Sequence, residues 1–209
     1  MSAHRLTGET LHVFRGERHV LRGLSFAVDG GEYLEVTGPN GAGKTSLLRT
    51  LIGLVHAESG RITWNGRPIL EDARAYHSQL AWLGHESPLK ADLTAAENLA
   101  FGIGIRRRID AVAVATALDE VGAQGFSDRP VRTLSAGQRR RVALAGVLLA
   151  GVPLWVLDEP ATHLDADGQA LVGRLVERQI VAGGIVVAAV HAPLPVVEAG
   201  TRRLGLSSK

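Results

Sequence analysis

Three short stretches of this sequence carry residue types that can do phosphate chemistry. The first, Gly38-Pro39-Asn40-Gly41-Ala42-Gly43-Lys44-Thr45, has the form Gly-x-x-x-x-Gly-Lys-Thr. Glycines let such a backbone curl until its N–H groups converge on one centre, and a helix N-terminus adds partial positive charge there. Lys44 can then reach the outer phosphates of a nucleotide, and the Thr45 hydroxyl can ligate Mg²⁺. The second stretch, Leu154-Trp155-Val156-Leu157-Asp158-Glu159, is an apolar run ending in two acids. Acids at a strand's C-terminal end face the crevice where α/β sheets bind ligands. Asp158 suits Mg²⁺, and Glu159 suits a general base that polarises water. The third is Leu134-Ser135-Ala136-Gly137-Gln138. Ser135 is a good N-cap, Gly137 permits close backbone approach, and a helix starting here offers a second anion site.

These residues need strands and helices to hold them. Leu24–Val28, Tyr33–Thr37, Arg61–Trp64, Leu80–Leu83, Leu154–Leu157 and Ile185–Val190 read as strands. Lys44–Leu54 has helical spacing, with Leu47, Leu48, Leu51 and Ile52 on one face. Thr94–Phe101, Ala111–Val121, Ser135–Leu149 and Gly168–Val181 read as further helices, and the tail from about Arg202 as an edge. Strands alternating with helices imply an α/β fold with a mostly parallel sheet. From Ser87 to about residue 150 only helices are expected, so a helical subdomain is inserted into one domain spanning residues 1–209.

Composition narrows the class. The 209 residues are 45% hydrophobic and 21% charged, as in an ordinary globular chain. There is no cysteine, which excludes disulfides, thiolate metal sites and a cysteine nucleophile. Twenty-three basic and 21 acidic residues leave a formal charge of only +2, so no nucleic-acid partner is expected. The basic runs Arg106–Arg108 and Arg139–Arg141 read as solvated faces. The uncharged runs Val142–Leu157 and Ile180–Val197 are interrupted by glycine and proline, and read as buried strands with their turns rather than membrane spans. No secretory signal is expected at the start.

The order of phosphate loop, LSAGQ and acidic strand resembles the nucleotide-binding subunit of ATP-binding-cassette transporters. Ala136 stands where that family's LSGGQ signature has its first glycine. The resemblance implies a P-loop ATPase fold with an antiparallel β part beside the parallel sheet, and ATP and Mg²⁺ as ligands. It implies that Gly38 to Ser46 hold the phosphates and that Ser135, Ala136, Gly137 and Gln138 contact ATP across a homodimer. Asp165 sits at the family's D-loop aspartate, with His163 as a departure. His191 sits at the switch histidine that contacts the γ-phosphate. Counting 29 residues back from Lys44 to the usual aromatic of the adenine site gives Arg15, preferred here over its neighbour Phe14, which reads as a core-facing strand residue. Glu86 replaces the family's Q-loop glutamine. It can still bind Mg²⁺ or water, but cannot donate an amide hydrogen bond. Gln79 lies too early to substitute for it.

Gly38-Pro39-Asn40-Gly41-Ala42-Gly43-Lys44-Thr45-Ser46-Leu47-Leu48-Arg49, Leu83-Gly84-His85 and the LSAGQ variant are similar to one branch, the haem-exporter type of cytochrome c maturation. That branch implies a peripheral subunit on the cytoplasmic face of the inner membrane, partnered by integral membrane proteins that handle haem. No direct haem binding by this chain is expected. The alternatives are the ATPase of another small permease and a soluble P-loop ATPase.

Overall fold

The computed structural model describes residues 4–104, 109–196, 198 and 200–207. Strands β1 (Arg5–Arg15) and β2 (Arg18–Asp29) form a long antiparallel hairpin. Strand β3 (Tyr33–Thr37) runs into the glycine loop, and helix α1 (Lys44–Leu51) follows. Then come β4 (Ser59–Trp64), β5 (Arg67–Pro68), α2 (Ala73–His77) and β6 (Leu80–Leu83). Helices α3 (Ala95–Gly104), α4 (Ala111–Glu120) and α5 (Ala136–Ala150) precede β7 (Leu154–Asp158). Helix α6 (Ala166–Val181), β8 (Ile185–Ala189) and β9 (Thr201–Gly205) complete the order.

Two sheets result. The antiparallel one has the order β2-β1-β4-β5, and the parallel one the order β6-β7-β8-β3-β9. Period-two alternation assigns the faces of the parallel sheet. Leu154, Val156, Ile185 and Val187 face α1 and the antiparallel sheet, whereas Trp155, Leu157, Val186 and Ala188 face the core shared with α3 to α6. Both faces are therefore covered, which is why these strands read as continuous apolar runs. Because β6, β7, β8 and β3 are neighbours, their C-terminal ends bring residues 84–86, the two acids, His191 and the glycine loop to one edge.

Several expectations shift. The strand Leu24–Val28 is the end of the longer β2, and its partner β1 was not anticipated. Bulges between Gly8 and Leu11 and between Val13 and Phe14 break its alternation. Helix α1 stops at Leu51 because the amides of Leu54 and Val55 turn back onto the Arg49 carbonyl. Phe14 is a strand residue but does not face the core. Val13 takes the buried side, leaving Phe14 44% exposed and stacked on His19. Among the described residues no strand lies between β6 and β7, and no helix is long and apolar enough to cross a membrane. The run Arg106–Arg108 lies outside the described residues.

Candidate nucleotide site

Gly38 leaves β3 at φ 142°, and a Cβ there would meet the Leu206 carbonyl at 2.3 Å, so only glycine fits this start of the loop. Pro39, Asn40, Gly41, Ala42 and Gly43 complete the turn onto α1, which begins at Lys44 and carries Thr45 and Ser46 in its first turn. The buried Lys44 ammonium donates to the carbonyls of Gly38 (2.6 Å) and Pro39 (3.2 Å). It therefore spans the mouth of the loop with one donor left over.

The acids stand one strand beyond β8. Thr45 Oγ1 donates to Asp158 Oδ1 at 3.4 Å, which joins the loop to β7. Asp158 is buried, and its other oxygen, Oδ2, has no partner among the described residues. Burial, aided by the neighbouring Glu159 charge, pushes its carboxyl above the ordinary range. A buried carboxylate oxygen left unpaired beside a threonine hydroxyl suits a hard divalent cation, so these residues fit Mg²⁺.

Glu159 turns out of the strand at φ 52°, a left-handed conformation costing a non-glycine residue about 1–2 kcal/mol. Its N–H donates to the Ala189 carbonyl. Its carboxylate is held on both oxygens. His191 Nε2 lies 2.6 Å from Oε1, while Thr162 Oγ1 donates to Oε2 at 3.2 Å. His85 Nδ1 approaches the same Oε2 at 3.6 Å. His191 thus meets Glu159, as the ends of adjacent strands require. Glu86 is exposed and makes no hydrogen bond or ion pair among the described residues, so His85 is the side chain of its segment that reaches the acids.

Ser135 caps α5, whose first residue is Ala136. Its Oγ accepts from the Gln138 N–H, and Gln138 Oε1 accepts from the Ser135 N–H. This capping box leaves the remaining N-terminal amides of α5 free to face an anion. Gly137 lies against the 162–164 segment, where a Cβ would stand 2.7 Å from the His163 carbonyl. Asp165 caps α6 through the Gly168 N–H and lies 3.4 Å from Arg141. No hydrogen bond joins Ser135–Gln138 to the Gly38–Thr45 loop among the described residues.

Arg140 was expected on a solvated face and is instead 5% exposed. Its guanidinium donates to the carbonyls of Gly84, Asp158, Glu159 and Pro160, and desolvation pushes its pKa down to about 10. One signal for this lay in the sequence. Arg140, Leu144 and Val147 recur at i, i+4 and i+7, the spacing of a single helix face. The flanking Arg139 and Arg141 also bond backbone carbonyls, of Leu134 and Val121.

Arg15 ends β1 exposed, its side chain without a hydrogen bond or ion pair among the described residues. Arg18, across the hairpin turn, donates to the Gly41 carbonyl at 3.1 Å. With His19, Val20 and Ala42 it lines a cavity of about 420 Å³ beside the loop.

Comparison with known proteins agrees with this geometry. A family model described as ABC transporter matches residues 21–162. The chain is 45% identical to the cytochrome c biogenesis ATP-binding export protein CcmA 1 of Salmonella paratyphi A, over 97% of both chains. It is 44% identical to CcmA of Escherichia coli K12, over 92% of both. Against a putative bifunctional biogenesis protein CcmAE of Salmonella choleraesuis it is 45% identical, and spans 59% of that longer chain. A solved structure of a putative ABC transporter ATP-binding protein from Pyrococcus furiosus superposes with a TM-score of 0.84 at 25% identity, covering 97% of both chains. The chain belongs to the ATP-binding family of ABC transporters, alongside the cytochrome c biogenesis ATP-binding export proteins, and is an ATPase.

Proposed function

We propose that this chain works as a head-to-tail homodimer that hydrolyses Mg-ATP and thereby drives a membrane complex moving haem for cytochrome c maturation. The observation that carries the catalytic part is the Glu159 carboxylate, held between His191 and His85 beside the Lys44 loop. The cargo part rests on whole-length likeness to the CcmA proteins.

Gly38 to Gly43 offer backbone N–H groups to the phosphates, and Lys44 adds a cation. Thr45 and Asp158 would hold Mg²⁺, which would supply charge neutralisation for the phosphates, and Glu86 would be a further oxygen donor for it or its water. Glu159 accepts a proton from the attacking water, and His191 keeps that carboxylate aimed. The adenine would lie against the β1–β2 hairpin end, with Arg15 and the cavity-lining Arg18 and His19. Ser135, Ala136, Gly137 and Gln138 of the second copy close the site on the γ-phosphate, and Asp165 supports that contact. The α5 capping box, which leaves further N-terminal amides for an anion, supports such a pairing. The helical stretch of residues 87–150, which carries α5, transmits closure to the integral membrane subunits, placing the chain on the cytoplasmic face.

The test is Glu159→Gln. It keeps ATP binding, lowers turnover about a hundredfold or more, and accumulates an ATP-bound dimer by size-exclusion chromatography. A variant with wild-type turnover removes Glu159 as the base. Pull-down of the same variant from solubilised native membranes with Mg-ATP yields haem-handling membrane proteins on this reading. Recovery of an unrelated permease keeps the ATPase and discards haem.

A further inference from the structure

Glu86, in the segment after β6, is exposed and makes no hydrogen bond or ion pair among the described residues. The side chain that does face the acids is the one before it. His85 Nδ1 stands 3.6 Å from Glu159 Oε2, on the opposite carboxylate oxygen from His191. Its backbone is fixed, because Arg140 Nη1 donates to the adjacent Gly84 carbonyl at 2.8 Å. Strand pairing of Leu83 with Leu157 sets the same spacing from below. The His85 side chain is 59% exposed, and this approach is the one polar contact it makes among the described residues. Core packing therefore does not account for where it sits.

We propose that His85 is a positioning residue for the Glu159 carboxylate, approaching it from the end of β6 while His191 approaches from the end of β8. The proposal rests on the reading of Glu159 as the base. His191 holds Oε1 and Thr162 Oγ1 donates to Oε2 at 3.2 Å, and His85 adds a second polar group on the Oε2 side, from the end of β6. Contacts of this length shorten when the reacting group arrives. A positioned base is worth more than a free one because its orientation is settled before the water attacks.

The experiment measures steady-state ATPase of the full chain for His85→Ala, His85→Asn, Glu159→Gln and the double variant His85→Ala/Glu159→Gln. Thermal melts confirm folding, which an exposed side chain should not disturb. The alanine variant is expected to lose about tenfold in kcat with KM for ATP unchanged. The asparagine variant, whose amide nitrogen occupies the place of Nδ1, recovers most of that loss. In the Glu159→Gln background the alanine change adds nothing, since there is no base left to aim. An alanine variant with wild-type kcat beside an inactive Glu159→Gln overturns the role of His85 and leaves the base reading standing. A full tenfold loss persisting in the double variant also overturns it, because His85 would then act elsewhere. Wild-type turnover in Glu159→Gln instead removes the base reading itself.

Discussion

At the residue scale the site combines charges that the fold tolerates poorly with contacts that only a ligand completes. Asp158 is the clearest case: its Oδ2 is buried and unpaired, and burial raises its pKa. A carboxyl whose folded pKa is raised contributes stability below its unfolded pKa, and that contribution is lost as pH rises through the folded value. At neutral pH without a cation the burial of the Asp158 carboxyl is thus a net cost. Asp158→Asn is expected to raise the melting temperature in EDTA at neutral pH by a few degrees. That advantage should shrink as the buffer is acidified, while the stabilising shift on adding Mg-ATP disappears. Melting curves across pH, with and without Mg-ATP, check both. An unchanged melting temperature in EDTA would show that Asp158 carries no such cost.

Among the elements, α5 does the most joining. Its N-terminus carries the Ser135 capping box, Gly137 rests on the His163 carbonyl, and Arg140 ties it to the ends of β6 and β7. Its two glycines differ in consequence. At Gly137 an added Cβ would meet backbone at 2.7 Å, whereas at Gly146 it would meet only Leu99 Cδ2 at 3.5 Å. Gly146→Ala should stabilise by about 0.5–1 kcal/mol from helix propensity alone. Gly137→Ala should destabilise by about 1–3 kcal/mol, because the helix must shift from the 162–164 segment. Urea unfolding of the two variants side by side gives opposite signs if this account holds. The capping box was legible because Ser and Gln lie three residues apart before an apolar run. The buried Arg140 was masked by the charged residues on either side of it.

Across the whole molecule, β9 shuts the parallel sheet against β3. Glu35 of β3 is 2% exposed, and Arg203 of β9 pairs with it at 3.1 Å while also holding Glu198. Removing the partner of a buried acid leaves its charge uncompensated. Arg203 is half exposed, so water softens the penalty. Arg203→Ala is expected to lower the midpoint of chemical denaturation, with ATPase per folded molecule retained. Glu35→Gln in that background should recover part of the loss. The pairing spans 168 residues of sequence, so no local pattern announced it.

Local chemistry was fully present in the residues themselves. The Gly38 loop, the Asp158–Glu159 pair, the α5 cap and the apolar strands each depend on neighbours within a few positions, so spacing alone pointed to an α/β fold and to the phosphate and acid residues, whereas Arg15, Glu86, Asp165 and His191 entered only through the family resemblance. The β1–β2 hairpin was less legible, since bulges interrupt the alternation that marks a strand. Only the tertiary structure decided which distant groups meet. His85 and His191 reach opposite oxygens of Glu159 because β6, β7 and β8 lie in that order, although 106 positions separate the two histidines. Arg140 is buried because strand ends offer its guanidinium four carbonyls at once. Strand order and burial come from packing over the entire chain, and that information is carried by no single stretch of it.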